Sequence, residues 1–291
     1  MVPFNKIAGC VVLYHPNSTV LSNIDSYYNN IDYLIVVDNS TTSDTSLINE
    51  LNSFFPNTVY LFLNQNAGIA AALNIACKIA VEKGYNWLLT MDQDSNFKDN
   101  QLSEMISNIP IITSQFPDVG IITPQHVLHE QHIPKVSAKY TVRNIAMTSG
   151  NLLNLYAFKE CGPFNEKLFM DFVDYEYCLR LRKSNYKIIQ DNAIHLNHSL
   201  GNYKIRKFFK QKIGVSNHNA QRRYYMTRNS LYVAFKYLRQ DRNFFLLALW
   251  NIVFWSPFII VSFEKNKLSK LKSIYKGVYH FAVSKYGKVV D

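Results

Sequence analysis

Two carboxylates one residue apart, Asp92 and Asp94 in the run LLTMDQDS, form the pair in this chain best suited to chemistry. Carboxylate oxygens at that spacing reach one hard divalent cation together or through a bridging water. Mg2+ or Mn2+ bound this way needs few protein ligands, because diphosphate oxygens complete the shell. Asp pairs also cap helices and fill turns, and the position of this one after an apolar run favours the metal reading. A second cluster, LFMDFVDYEYCLRLR, brings Asp171, Asp174 and Glu176 together ahead of Arg180 and Arg182. Acids so close in apolar surroundings should include one with a raised pKa, which a general base requires. Acids early and arginines late also complement a helix dipole, and Glu176 and Arg180, at i and i+4, read as structural partners. That leaves Asp174 or Asp171 to face a cleft. His195 and His198 follow in AIHLNHSLGN; isolated histidines are most often hydrogen-bonded structural residues, and the acidic pair gives one of them a role.

The elements that must position these groups show in the hydrophobic periodicity. Residues 7–14, 33–37, 59–63 and 87–91 read as buried strands, with helices expected over 20–30 and 69–84 and a cap at Gly84. A helix near 102–109 and strands near 119–122 and 186–189 follow, with the two histidines in a polar stretch after the last. Strands alternating with helices predict an α/β domain with a largely parallel sheet. Asp38 and the Asp92/Asp94 pair then fall at the carboxyl ends of strands, the edge where open α/β sheets bind ligands.

At 291 residues, 48% hydrophobic and 18% charged, the chain is globular and can bury a full core. Cys10, Cys77, Cys161 and Cys178 lie far apart, with neither zinc-ligand nor disulfide-framework spacing, and fit a reducing cytosol. The opening residues lack a secretory-signal pattern, so the protein is expected to stay on the side where it is made. Charge is lopsided: residues 1–202 carry 13 Lys and Arg against 18 Asp and Glu, whereas residues 203–291 carry 18 against 3. Such a tail suits a polyanion, an anionic membrane surface or a nucleic acid; a solvated basic face is the plainer alternative. Within it, FFLLALWNIVFWSPFIIVSF (244–263) holds no charge and is followed by KNKLSKLKSIYK. A membrane-embedded or surface-lying segment is the leading reading, with a buried hairpin second and a true span third; interleaved lysines suit an interfacial helix on anionic lipid.

The motifs VVLYHPN, VVDNS, NQNAGIAAALNIA, LLTMDQDS, TSGNLL, FMDFVDYEYCLRLR and LNHSLG, in that order, resemble the bacterial rhamnosyltransferases within glycosyltransferase family 2 over about the first 230 residues. The resemblance implies a GT-A fold in which residues 1–202 form the catalytic domain, its nucleotide-binding part about 1–98 and its acceptor part about 99–202. Residues 203–291 form a basic helical region. It implies an inverting transfer of rhamnose from dTDP-rhamnose to a lipid-linked glycan, in O-antigen or capsule assembly, by a protein peripheral on the inner face of the cytoplasmic membrane. By the same resemblance Tyr14, Asp38, Asn39, Asn66, Gly68, Asp92 and Gln93 meet the nucleotide sugar. Asp92, Asp94 and His198 hold Mn2+ or Mg2+, and Asp174 aligns with the catalytic base. The usual Glu-Asp pair is replaced here by Val173-Asp174, which keeps Asp171 as an alternative. Arg222, Arg223 and Arg228 add positive charge for the leaving group or an acceptor diphosphate, or are exposed basic residues.

Two alternatives stand beside this reading. The fold could serve another donor, UDP-galactose or UDP-glucose. A non-catalytic binder of membrane or nucleic acid would leave the acidic clusters unexplained. No RNP-like or KH motif supports RNA, and nucleic acid is not expected as a partner. No GxGxxG follows the first strand, which argues against a nicotinamide enzyme. Homo-oligomerisation is left open.

Overall fold

Short apolar runs buried on both faces build the first strands, because helices cover both sides of the sheet they form. In β1 (Ile7–Leu13) every residue is buried; Ile7, Val11 and Leu13 join one apolar cluster while Ala8, Cys10 and Val12 alternate with them. The same alternation runs through β2 (Tyr33–Asp38) and β4 (Trp87–Asp92), whereas β3 (Thr58–Phe62), at the sheet edge, is half-buried along its whole length. The computed structural model describes residues 6–128, 138–198, 204–208 and 211–289. It divides into two units, Met1–Glu166 with Tyr177–Ser199, and Lys167–Glu176 with Leu200–Asp291.

The first unit continues with β5 (Ser95–Phe97), β6 (Val119–Leu128), β7 (Tyr140–Arg143), β8 (Asn151–Asn154) and β9 (Lys187–His198). The sheet runs β3-β2-β1-β4-β8-β6-β9-β5, with β7 also on β9. Pairing is parallel from β3 through β4 and again between β6 and β9, while β8 lies antiparallel to both its neighbours. Helices α1 (Val20–Tyr28), α2 (Thr45–Phe54), α3 (Ile69–Glu82), α4 (Gln101–Ser107), α5 (Ile109–Gln115), α6 (Leu155–Cys161) and α7 (Val173–Lys183) complete the connections. Val20, Ile24, Leu51, Leu102, Met105 and Ile112 carry α1, α2, α4 and α5 onto the cluster that contains Val11 and Leu13.

Local chemistry sets several boundaries. Asp44 caps α2 by accepting from the Ser46 and Leu47 amides. The helix expected over 102–109 stops at Ser107, and Pro110 in the first turn of α5 starts a second one. Strand β9 is much longer than the expected 186–189: a register shift between Pro124 and Gln125 of β6 leaves residues 192–194 as a bulge and lets pairing resume at His195. Both histidines therefore lie on the strand and not in a polar stretch beyond it.

The second unit holds the hairpin β10 (Lys204–Phe208) and β11 (Gln211–Val215), then α8 (Ala220–Lys236), α9 (Arg242–Trp250), α10 (Ser256–Phe263) and α11 (Lys267–Ala282). Helices α8 and α11 approach so closely at Gly277 that an added Cβ would sit 2.9 Å from the Tyr224 carbonyl oxygen. The sequence places a boundary at residue 202, but Lys167–Glu176 groups with this unit. The reason is a buried pair on α8. Arg228, wholly inaccessible to solvent, donates to the carbonyls of Lys167 (3.1 Å), Leu168 (3.2 Å) and Gly287 (2.8 Å) and through Nε to Asn229. Asn229 Nδ2 lies 2.6–3.0 Å from the carbonyl oxygens of Leu168, Met170 and Asp171.

Removing Arg228 orphans those carbonyls inside the protein. Arg228→Ala is expected to destabilise by roughly 3 kcal/mol or more, and Asn229→Ala by about 2 kcal/mol, read from the urea midpoint of the C-terminal transition.

Candidate active site

The carboxyl ends of β2, β1 and β4 place the first set of polar groups. Leu13 is in register with Asp38 and Val12 with Asp92, so the two acids end strands on either side of β1. Their Cα atoms are then roughly 10 Å apart. Asp38 is buried; its Oδ1 accepts from the Ser40 amide and its Oδ2 from the Tyr60 hydroxyl. Burial and that carboxylate push the Tyr60 phenol well up. Asn39 ties the next loop down, donating to the Gly68 carbonyl and accepting from the Ala67 amide, each at 3.2 Å. Asn66 accepts from the Gly68 amide at 3.0 Å, and Gly68 has a φ of 90°. That backbone suits glycine, and it delivers the chain into the N-terminus of α3, where orphan amides favour an anion.

The Asp92-Gln93-Asp94 turn joins β4 to β5. Asp92 is half-buried and its amide donates to the Ser149 hydroxyl; Asp94 is exposed. Gln93 spends its side-chain amide on Tyr14, accepting from the Tyr14 nitrogen at 2.8 Å and facing the Tyr14 carbonyl at 3.3 Å. It therefore fixes the loop that presents the exposed Tyr14 ring, which stacks edge-on to His15. Ser95, next to Asp94, pairs with His198 across β5 and β9, so the backbone brings His198 beside the acidic turn; the His198 side chain lies outside the described residues. His195 donates its amide to Gln101. Among the described residues no three His, Cys, Asp or Glu side chains form a metal cage. Two hard carboxylates at the mouth of a phosphate-favouring edge fit Mg2+ or Mn2+, whose other ligands come from substrate oxygens.

Sequence reasoning missed Ser149, Tyr60 and Asn23. Ser149 sits in a loop whose Gly150, at φ 80°, leaves no room for a Cβ between Leu196 and Pro124. TSGN was a visible signal; nothing in the pattern marked Tyr60, or Asn23, which donates to the Gln93 carbonyl.

The second unit carries the other acids on a strained segment. Phe169, Asp171 and Phe172 have φ of 63°, 56° and 65°, in a region costly for residues with side chains. Asp171 Oδ1 accepts from Arg222 Nε and Nη2 at 3.1 and 3.0 Å, while its Oδ2 is buried without a hydrogen-bond partner. Burial raises the Asp171 pKa, and Arg222 opposes the rise without cancelling it. Asp174 is half-buried in the first turn of α7 and accepts from the Tyr175 amide. Glu176 is fully buried and accepts from the Lys236 ammonium and the Tyr237 hydroxyl. Of the three arginines assigned to a diphosphate, Arg228 is corrected to a structural residue, its guanidinium enclosed by backbone carbonyls. Arg223 is buried in an ion pair with Glu264, and Arg222 is half-exposed on Asp171.

Residues 17–147 match Glycosyl transferase family 2. The Shigella flexneri protein named dTDP-rhamnosyl transferase RfbF is 26% identical over 288 residues, covering 92% of each chain. Among solved structures, S. aureus TarS 1–349 superposes with a TM-score of 0.59 at 12% identity, over 96% of this chain and 83% of that one. GalNAc-T7, solved with UDP, GalNAc and Mn2+, gives a TM-score of 0.56 at 10% identity over 67% of this chain; this chain spans 43% of its length. The fold is GT-A, its polar groups are collected at the carboxyl edge of that sheet, and residues 17–147 within it resemble Glycosyl transferase family 2.

Proposed function

We propose that the protein transfers rhamnose from dTDP-rhamnose to a lipid-linked glycan, with inversion at the anomeric carbon, in surface polysaccharide assembly at the inner face of the bacterial cytoplasmic membrane. One observation carries the transferase reading: Asp38, Asn39, Gly68 and the Asp92 turn converge on one sheet edge beside a helix N-terminus. The donor rests on the activity named for the Shigella flexneri relative. The exposed apolar length of α9 and α10, in a basic region, supports the membrane location.

In this reading the Tyr14 ring and the two turns that Asn39 ties together, its own and the one at Gly68, hold the nucleotide, and the α3 amides meet its phosphates. Asp92 and Asp94, with His198 a further ligand by motif order, would hold Mn2+ or Mg2+, which neutralises charge on the departing diphosphate. The acceptor oxygen bonds to the anomeric carbon as the bond to dTDP breaks, and the hydroxyl proton passes to a carboxylate of the strained segment. Motif order favours Asp174 as that acceptor; the raised pKa and partnerless Oδ2 favour Asp171.

Calorimetric titration tests the donor site. dTDP is expected to bind more tightly than UDP, only with Mn2+ or Mg2+, and Asp94→Ala to weaken binding at least tenfold; a UDP preference would change the sugar donor, and no binding to folded protein would remove the reading. Asparagine variants test the base: the true base loses about 100- to 10,000-fold in kcat, the other acid far less. Asp171 also predicts a pH signature. Its raised folded pKa means that its contribution to stability is present below the unfolded carboxylate range and lost as pH rises through the folded pKa. Asp171→Asn should therefore shift Tm more favourably, relative to wild type, at pH 7.5 than at pH 4; an equal shift at both would contradict the burial argument.

A further inference from the structure

The helix from Arg242 to Phe263 is apolar almost all round and mostly unburied. Leu246, Trp250, Val253, Phe254 and Val261 are exposed at helical spacing, where a soluble surface helix carries charge. Midway, Asn251–Trp255 form a π-helical turn, a distortion that concentrates at functional sites.

Beside that turn the C-terminal unit contains a cavity of about 190 Å3. Its lining is of two kinds: Phe172, Leu247 and Ile252 are apolar, whereas Arg223, Thr227 and Asn251 are polar. The volume holds about six groups of roughly 30 Å3 each, the end of an amphiphile and not the whole of one. Leu247 both lines the cavity and is exposed, so it marks the mouth on the apolar helix face.

The charge around Arg223 points to the head that this end carries. Arg223 and Lys270 both pair with the one carboxylate of Glu264, and all three residues are buried. Among the described residues these two cations share one carboxylate, which leaves a positive charge unbalanced away from water and is costly without an anion. Arg223 Nε is buried with no hydrogen-bond partner, a second cost that an anionic acceptor removes. His218 reports the same surroundings: burial, then Arg222 and Arg223, push it down to about 4.

We propose that this cavity receives the head-proximal end of a phosphate-headed amphiphile, its phosphate against Arg223 and its apolar chain leaving past Leu247 along the exposed face of α9 and α10. The inference rests on the reading of the acceptor as lipid-linked and assigns a site to the lipid part of it. Phe172, which lines the cavity, follows Asp171 in the chain, so the site adjoins the segment that carries the candidate base.

Farnesyl phosphate is the probe, titrated into the full chain with quenching of Trp250 and Trp255 as readout. Saturable binding is expected, at least tenfold tighter than farnesol and not displaced by inorganic phosphate. Ala248→Phe, which fills the cavity, should weaken it at least tenfold while dTDP titrates as in wild type. Arg223→Lys keeps the charge but removes Nε, and should bring farnesyl phosphate close to farnesol. Equal affinity for farnesol and farnesyl phosphate in wild type would overturn the head assignment, and displacement by inorganic phosphate would mark a site for the free anion. Wild-type affinity in Ala248→Phe would put the chain on the open helix and overturn the cavity. Loss of dTDP binding in wild type would sink the donor reading separately, since the probe reports only on the C-terminal unit.

Discussion

Parallel pairing of β1 with both β2 and β4 is the constraint on which the candidate site depends. Parallel strands end on the same side, and a register that matches Leu13 to Asp38 and Val12 to Asp92 brings two carboxylate-bearing ends to the flanks of one central strand. The interior of each strand is filled by apolar side chains on both faces, so polar groups can collect only where pairing stops. The loops beyond the strands are fastened around that edge: Asn39 anchors the segment before α3, Gln93 anchors Tyr14, and Ser149 anchors the Asp92 amide. The side chains of Asn39, Gln93 and Ser149 are thus engaged in holding backbone around that edge.

The second unit meets a different difficulty, that of holding a strained acidic segment in place. Three left-handed residues within four positions cost on the order of 1–3 kcal/mol each, and they persist because Arg228 and Asn229 seize the carbonyls just before and within the segment. A fully buried guanidinium is stable only when its donors are satisfied, and here carbonyls and the Asn229 side chain satisfy them. The same enclosure leaves one Asp171 oxygen without a partner and raises its pKa, so a structural device and a proton-accepting property share one cause.

The strands 7–13, 33–38, 58–62 and 87–92 and helix α3 were legible because their apolar period is unbroken and their ends carry turn chemistry. β5, β7 and β8 were not, being three or four residues long and paired across great sequence distances. The long β9 escaped because its bulge interrupts the alternation on which strand recognition relies. At the site, acidic residues declared themselves through spacing, whereas basic ones misled: Arg228 and Arg223 look like surface charge in a region rich in Lys and Arg, and only tertiary partners reveal them as interior. The grouping of Lys167–Glu176 with the C-terminal unit was likewise invisible, since it depends on carbonyl contacts with α8 that leave no mark on composition.

Sugar transfer to a membrane-borne acceptor is the central claim, and one assay addresses it directly. Membranes from cells lacking the protein would be incubated with radiolabelled dTDP-rhamnose, a divalent cation and either the wild-type chain or the Asp171→Asn/Asp174→Asn double variant. Label is expected to enter the organic-extractable fraction with wild type and not with the variant. Label that remains water-soluble with wild type, or that enters the lipid fraction equally with both proteins, would contradict the claim.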